Sequence, residues 1–188
     1  MKISLSEDHK YTVDGVRKPS VTEILEAIGF IDKQWYTEYG RDRGSHFHLA
    51  RHYYDENDLD TDTLDPAIEP YLEGYKKFRR DNEVIIVESE VEHYNETWGF
   101  CGKPDADIIL NGHPTVVDFK TGKLMAWTAL QLVLYSLFYD TPRKRLGVQI
   151  NANGTYKLFP FTDRRDMNTA LSAVHCYKWQ LNHGRKEL

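Results

Sequence analysis

The 188-residue chain has little cysteine: Cys101 and Cys176 are its two, far apart and in no C-x-x-C spacing. That excludes a cysteine-only zinc or iron–sulfur site within one chain and gives no disulfide framework. Long apolar runs are missing as well. None approaches the ~18 residues of a membrane helix, and the opening "MKISLSEDHK" lacks the apolar segment of a signal peptide. A cytoplasmic protein without membrane association is expected. Nor is there a basic excess: the net charge of −5 argues against nonspecific coating of nucleic acid, although a local basic channel depends on distribution and not on the sum. No G-x-x-x-x-G-K-[ST] occurs, so no ATP site is expected, and repeats, linkers and low-complexity segments are absent.

What is present is the composition of a folded protein, 40% hydrophobic and 28% charged, with 12 Tyr, 8 Phe and 4 Trp to fill a core. The length suits a single domain over residues 1–188. Asp14-Gly15 reads as a hairpin turn, and Ser20 with Glu23 as a capping box opening a helix over about 20–28 that Gly29 stops. A helical pattern over 34–56 is expected to break or restart near Gly40 and Gly44. Residues 55–65 read as an acidic loop and 66–82 as a helix with basic last turns. Strands follow at 83–94, 101–110 and 115–120, then an apolar helix at 124–140, a hairpin around Asn153-Gly154, and a closing amphipathic helix from 163 to 182. This order implies an α/β or α+β fold, a central mixed sheet flanked by helices on both faces.

Within "GKPDADIILNGHPTVVDFKTGK" (102–123), Asn111-Gly112 is a strong hairpin signal. A two-residue turn sets Asp105 opposite Asp118; a four-residue loop sets Asp107 there instead. Either register crowds two carboxylates, and alternation puts Asp118 and Lys120 on one face with Val117 and Phe119 on the other. Paired carboxylates beside an ammonium suit Mg²⁺ or Mn²⁺, whereas zinc prefers His or Cys. The bland alternative is a surface ion pair between Lys120 and an acid. Asp-x-Lys by itself is a poor signal: about two are expected by chance, and two occur, at Asp8-His9-Lys10 and Asp118-Phe119-Lys120. Gln131 and Tyr135, four apart, share one face of an apolar helix, where they read either as site residues or as ordinary core polar groups. His48 and His52 have the i, i+4 spacing of a zinc protease, but Leu49 stands where such a site needs glutamate. His46 and His52 read as polar surface groups or, alternatively, as phosphate contacts.

The ordered set "GKPD" (102–105), "DFK" (118–120) and "QLVLY" (131–135), with "PSVTEIL" (19–25) and "RGSHFH" (43–48) upstream, resembles the RecB-like branch of the PD-(D/E)XK nuclease superfamily, including phage-encoded exonucleases and the mitochondrial genome maintenance exonuclease. The resemblance spans about residues 19–135. It implies a restriction-endonuclease-like core and metal-dependent hydrolysis of DNA phosphodiesters leaving 5′-phosphates. It also implies the site: His48, Asp105 and Asp118 as metal ligands with the backbone carbonyl of Phe119, Lys120 as the catalytic lysine, Gln131 and Tyr135 positioning the DNA and the active-site strand, and Glu90 as a further acidic contact. It favours Asp105 over Asp107 opposite Asp118, leaving Asp107 as a supporting group.

The four cysteines of cluster-bearing relatives are missing, so no iron–sulfur cluster is expected, and without an ATP site any unwinding would need a separate helicase. The implied cofactor is Mg²⁺ or Mn²⁺ and the implied partner DNA, with recombination or replication proteins in a phage or replicon repair setting. "WYTEYGRDRG" (35–44) interleaves Trp35, Tyr36 and Tyr39 with Arg41 and Arg43, a mix suited to a single-stranded end, although the same aromatics could pack on the sheet. Lys103 and Lys123 are further candidate phosphate contacts. Two alternatives stay open: an endonuclease or junction-cleaving enzyme on the same core, and a noncatalytic DNA-binding or assembly protein on a nuclease scaffold. Polarity, strand preference and oligomeric state have no signal in the sequence.

Overall fold

A computed structural model of the chain describes residues 1–6, 8, 10–32 and 37–184. The N-terminal strands β1 (Ile3–Leu5), β2 (Tyr11–Val13) and β3 (Val16–Lys18) form a small antiparallel sheet. Asp14 and Gly15 turn β2 into β3 with φ of 48° and 80°, the left-handed pair that matches strand twist in a tight hairpin. The capping box at Ser20 is formed, and α1 (Val21–Ala27) follows it. β1 has no counterpart in the sequence reading.

Helix α2 (Glu38–Asp55) runs unbroken through Gly40 and Gly44, correcting the expected break there. Thr37 caps it by accepting the Gly40 N–H at 3.1 Å, and a Cβ on Gly40 would lie 2.9 Å from that hydroxyl oxygen. The glycine therefore serves the cap rather than a kink. A 3₁₀ turn (Thr61–Thr63) leads to α3 (Glu69–Asp81), which starts three residues later than expected, with Pro70 in its first turn.

The strand expected over 83–94 is two strands. β4 (Ile85–Ser89) ends where Glu90 takes φ 56°, a left-handed backbone that cannot continue a ladder, and β5 (His93–Asn95) begins beyond it. The strand expected over 101–110 is likewise divided into β6 (Phe100–Gly102), which pairs with β5, and β7 (Ala106–Leu110). Pro104, lacking an N–H, lies in the gap. β8 (His113–Lys120) pairs antiparallel with β7. The apolar helix expected over 124–140 is confined to α4 (Thr128–Ser136). Part of the reason is Leu124: it packs against Gly147, where any Cβ would collide with it, so its apolar character serves a loop-to-sheet contact. β9 (Lys144–Ile150) and β10 (Tyr156–Pro160) form the second hairpin, and α5 (Arg165–His183) closes the chain.

The central sheet has the order β10-β9-β8-β7-β4, mixed because β8 and β9 run parallel with α4 crossing between them. Strand alternation divides its side chains between two cores. Ala106, Ile108, Val117, Phe119, Leu146, Val148 and Ile150 meet Phe47 of α2 and Tyr71, Leu72, Tyr75 and Phe78 of α3. Val116 faces the other way, into Ile24 and Leu25 of α1, Leu132 to Leu134 of α4 and Val174 of α5. The expected sheet with helices on both faces is therefore the observed one. Among the described residues no helix is long and apolar enough to cross a membrane.

Candidate active site

The β7–β8 hairpin decides which carboxylates meet. Asn111 and Gly112 turn with φ of 48° and 77°, and Ala106 pairs with Val117. The next step of that register sets Asp105 opposite Asp118. Asp105 has left the ladder, yet its Oδ2 accepts the Phe119 N–H at 2.6 Å, which ties it to the end of β8. Asp107 pairs with Val116 instead, and both its oxygens accept from Arg143, at 2.8 and 3.1 Å. The four-residue-loop register is thus overturned, and Asp107 is engaged as a buried ion pair rather than as a supporting group at the site.

His48 of α2, Glu90 and Asp105 come together. Their ligand atoms all lie within 4.8 Å of one another, the one such His/Cys/Asp/Glu cluster among the described residues. His48 Nδ1 is 3.3 Å from Glu90 Oε1 and 3.8 Å from Asp105 Oδ1, without hydrogen-bond geometry to either. The left-handed turn that ends β4 is what places Glu90 there, and its N–H donates to the Asp105 carbonyl at 3.3 Å. Burial pushes the Glu90 carboxyl up, but His48, Arg51 and Lys103 outweigh it and hold it down at about 2.

Asp118 stands next to this trio rather than within it. It is 1% exposed; its Oδ1 accepts from Lys120 Nζ at 2.7 Å, and its Oδ2 is buried with no hydrogen-bond partner. Burial lifts its carboxyl to about 6, with Lys120 pulling it down and Asp105 pushing it up. The same-face placement of Asp118 and Lys120 expected from alternation is the one observed.

Gln131 and Tyr135 of α4 are hydrogen-bonded to each other at 3.1 Å and buried, leaving Gln131 Oε1 unpartnered. Tyr135 is pushed well above its ordinary value by burial first, then by the charges of Asp105 and Asp118. It lines a second cleft of ≈ 610 Å³ beside the N-terminal sheet. The larger cleft, ≈ 1220 Å³, holds the trio, with Phe119 and Lys120, on its walls. Arg41, Arg43, Lys103 and Lys123 line it too, and Lys103 is shared by both clefts. Arg43 donates to Thr121 at 3.2 Å and lies over the ring of Tyr39, which is exposed and does not line the cleft. His52 lines it and His46 is exposed. Trp35 and Tyr36 lie outside the described residues.

Sequence reading missed Arg51. It is fully buried and donates to Asp55, Ser89, Glu90 and the Asp105 carbonyl at 2.7–3.0 Å. A signal existed: Phe47, Ala50, Arg51 and Tyr54 share the inward helical face, so a charge stands in an apolar slot.

One imidazole and several carboxylates make a mostly hard donor set, which fits Mg²⁺ or Mn²⁺, and the partnerless buried Asp118 oxygen is a group that a cation would satisfy. No protein-family model and no curated protein sequence matches the chain. Its structure is similar to that of LHK-Exo solved in complex with dAMP, with a TM-score of 0.51 and 11% identity over 88% of each chain. It is also similar to SSO0001, with a TM-score of 0.38 and 15% identity over 88% of this chain and 87% of that one, a likeness too loose to inform the reading. The five-stranded mixed sheet flanked by helices has the restriction-endonuclease-like architecture, and LHK-Exo shares the fold.

Proposed function

We propose that this chain is a Mg²⁺- or Mn²⁺-dependent deoxyribonuclease, acting as a single catalytic domain and working as an exonuclease that leaves 5′-phosphates. The observation that carries the reading is the convergence of His48, Glu90 and Asp105, beside the Asp118–Lys120 pair, in a cleft whose walls bear Arg41, Arg43, Lys103 and Lys123. An isolated surface ion pair accounts for neither the buried, half-satisfied Asp118 nor the trio next to it.

In this reading His48, Glu90 and Asp105 hold the ion, with Asp118 and the Phe119 carbonyl completing its protein ligands. A divalent cation supplies positive charge to the scissile phosphate and makes water a stronger nucleophile near neutral pH. The protein's own groups do the rest. Lys120, held by Asp118, orients the attacking water or balances charge gathering on the phosphate oxygens. Asp105, anchored through the Phe119 N–H, keeps its carboxylate registered against β8. The Gln131–Tyr135 pair steadies the wall behind Asp105 and Asp118, and the arginines and lysines of the cleft grip flanking phosphates. The exonuclease form follows the motif resemblance, and the LHK-Exo structure with bound dAMP is compatible with it.

The test uses DNA labelled separately at its 5′ and 3′ ends, single- and double-stranded, with Mg²⁺, Mn²⁺ or EDTA. Metal-dependent loss from one end with short 5′-phosphorylated products is the expected result. Internal cuts would move the assignment to an endonuclease, and DNA binding without cleavage under either metal would reduce it to a noncatalytic scaffold.

A further inference from the structure

Arg51 is a long charged side chain with no exposed surface. Burying a guanidinium is costly unless its donors are satisfied; here the two terminal nitrogens make four hydrogen bonds to three separate parts of the chain, and Nε is left without a partner. Nη1 donates to Asp55 of its own helix and to Ser89 at the end of β4, both at 3.0 Å. Nη2 donates to Glu90 Oε1 at 2.7 Å and to the Asp105 carbonyl at 2.8 Å. The guanidinium carbon lies 5.1 Å from the centre of the Phe119 ring and 5.8 Å from that of Tyr75. Asp55 is itself held by the Tyr75 hydroxyl at 2.7 and 2.8 Å and by Arg79 at 2.8 Å. The group cannot rotate away without breaking several of these contacts.

Two of those anchors, and the place of Arg51 on α2, bear on the metal trio. Arg51 is one helical turn from His48, it holds the Glu90 oxygen that faces His48 Nδ1, and it fixes the backbone from which Asp105 projects. Glu90 needs such an anchor, because its left-handed backbone is intrinsically disfavoured for a non-glycine residue.

We infer that Arg51 is a positioning residue for the metal centre: its guanidinium aims the Glu90 carboxylate and the Asp105 turn at one point, and so sets the affinity of the site for a divalent cation. The inference rests on the metal reading above and goes beyond it by assigning a residue that touches neither ion nor DNA. Lysine in its place keeps the charge but not the fork, so it cannot hold Glu90 and the Asp105 carbonyl together with Asp55 and Ser89.

The test measures Mn²⁺ binding to the full chain from the loss of the free-ion EPR signal, with thermal unfolding alongside. Arg51→Lys is expected to bind Mn²⁺ at least about tenfold more weakly while still melting cooperatively, the scale seen when groups that orient metal ligands are removed. In a Glu90→Gln background the same change should add clearly less than about tenfold, since one of the two groups it aims is already altered. Unchanged affinity in a folded Arg51→Lys protein overturns the inference, as does a full additive loss in the Glu90→Gln background, which is the mark of a general structural role. If Arg51→Lys does not fold, Tyr75→Phe carries the test: it removes the hydroxyl that anchors Asp55, about threefold weaker Mn²⁺ binding is expected, and unchanged binding overturns the inference. A wild-type chain that binds no Mn²⁺ removes the metal reading and this inference with it. Wild-type binding with unaffected variants removes the inference alone.

Discussion

Two buried aspartates on the same face of the central sheet, Asp107 and Asp118, make opposite use of a basic neighbour. Asp107 is bonded through both oxygens to Arg143, whose guanidinium also donates to Thr141 and lies 4.4 Å from the centre of the Tyr139 ring. Each oxygen of that carboxylate has a donor. Asp118 has a single ammonium on one oxygen and nothing on the other, and it is lifted to about 6. The two sites share residue type, burial and strand context; they differ in satisfaction. A fully paired buried carboxylate belongs to the architecture, whereas a half-paired one beside three metal-capable side chains is a candidate cation ligand.

The sharpest way to break the comparison is to remove each basic partner. Lys120→Ala should lower DNA hydrolysis by about a thousandfold while the circular dichroism spectrum and melting cooperativity stay those of the wild type. Substantial turnover in this variant would return Lys120 to an ordinary ion pair. Arg143→Ala should act the other way, leaving Asp107 buried and unpaired at a cost of about 3 kcal/mol in denaturant unfolding, with a far smaller effect on turnover per folded molecule. If Arg143→Ala abolished hydrolysis without a change in stability, the division between architectural and chemical aspartates would collapse.

A smaller effect sharpens the same contrast through pH. With metal chelated, Asp118 binds its proton more tightly folded than unfolded, its value rising from 3.8 to about 6. Unfolding then releases a proton between those values, so its contribution to stability falls as pH rises from about 4 to about 6 and is flat above. Glu90, held down at about 2, contributes oppositely and at lower pH, losing its stabilisation as pH falls through the range from 4.5 to about 2. Thermal midpoints of the chelated protein across pH 4–7 should show the Asp118 decline, and Asp118→Asn should flatten it. An identical profile in the variant would mean that the buried oxygen is not the titrating group.

How far the sequence could be read depended on range. Asn111-Gly112 narrowed the β7–β8 register to two choices, of which the motif resemblance favoured the observed one, and strict alternation predicted the same-face Asp118 and Lys120 and the inward Phe119, because a tight turn and a two-residue period are local properties. The capping box at Ser20 was legible for the same reason. Errors fell where tertiary contacts overrode local pattern: apolar Leu124 reads as helix but packs on Gly147, and "EVIIVESEVEHY" reads as one strand although Glu90 turns out of it. Glu90 itself carried little signal as a ligand, and Arg51 none beyond a charge on an apolar helical face.

By itself, then, the sequence determined the elements that obey short-range rules: the hairpins, the first helix cap and the face on which each strand residue points, with Asp105 or Asp107 left to meet Asp118. Only the tertiary structure decided that Glu90 joins His48 and Asp105, that Arg51 ties Glu90 to the Asp105 backbone, and that Asp107 is given to Arg143. Arg51 meets Glu90 and Asp105 across 39 and 54 residues of chain. Such contacts arise when helix α2 packs against one face of the sheet and its inward charge has to find partners there, a constraint that no turn residue or period can encode.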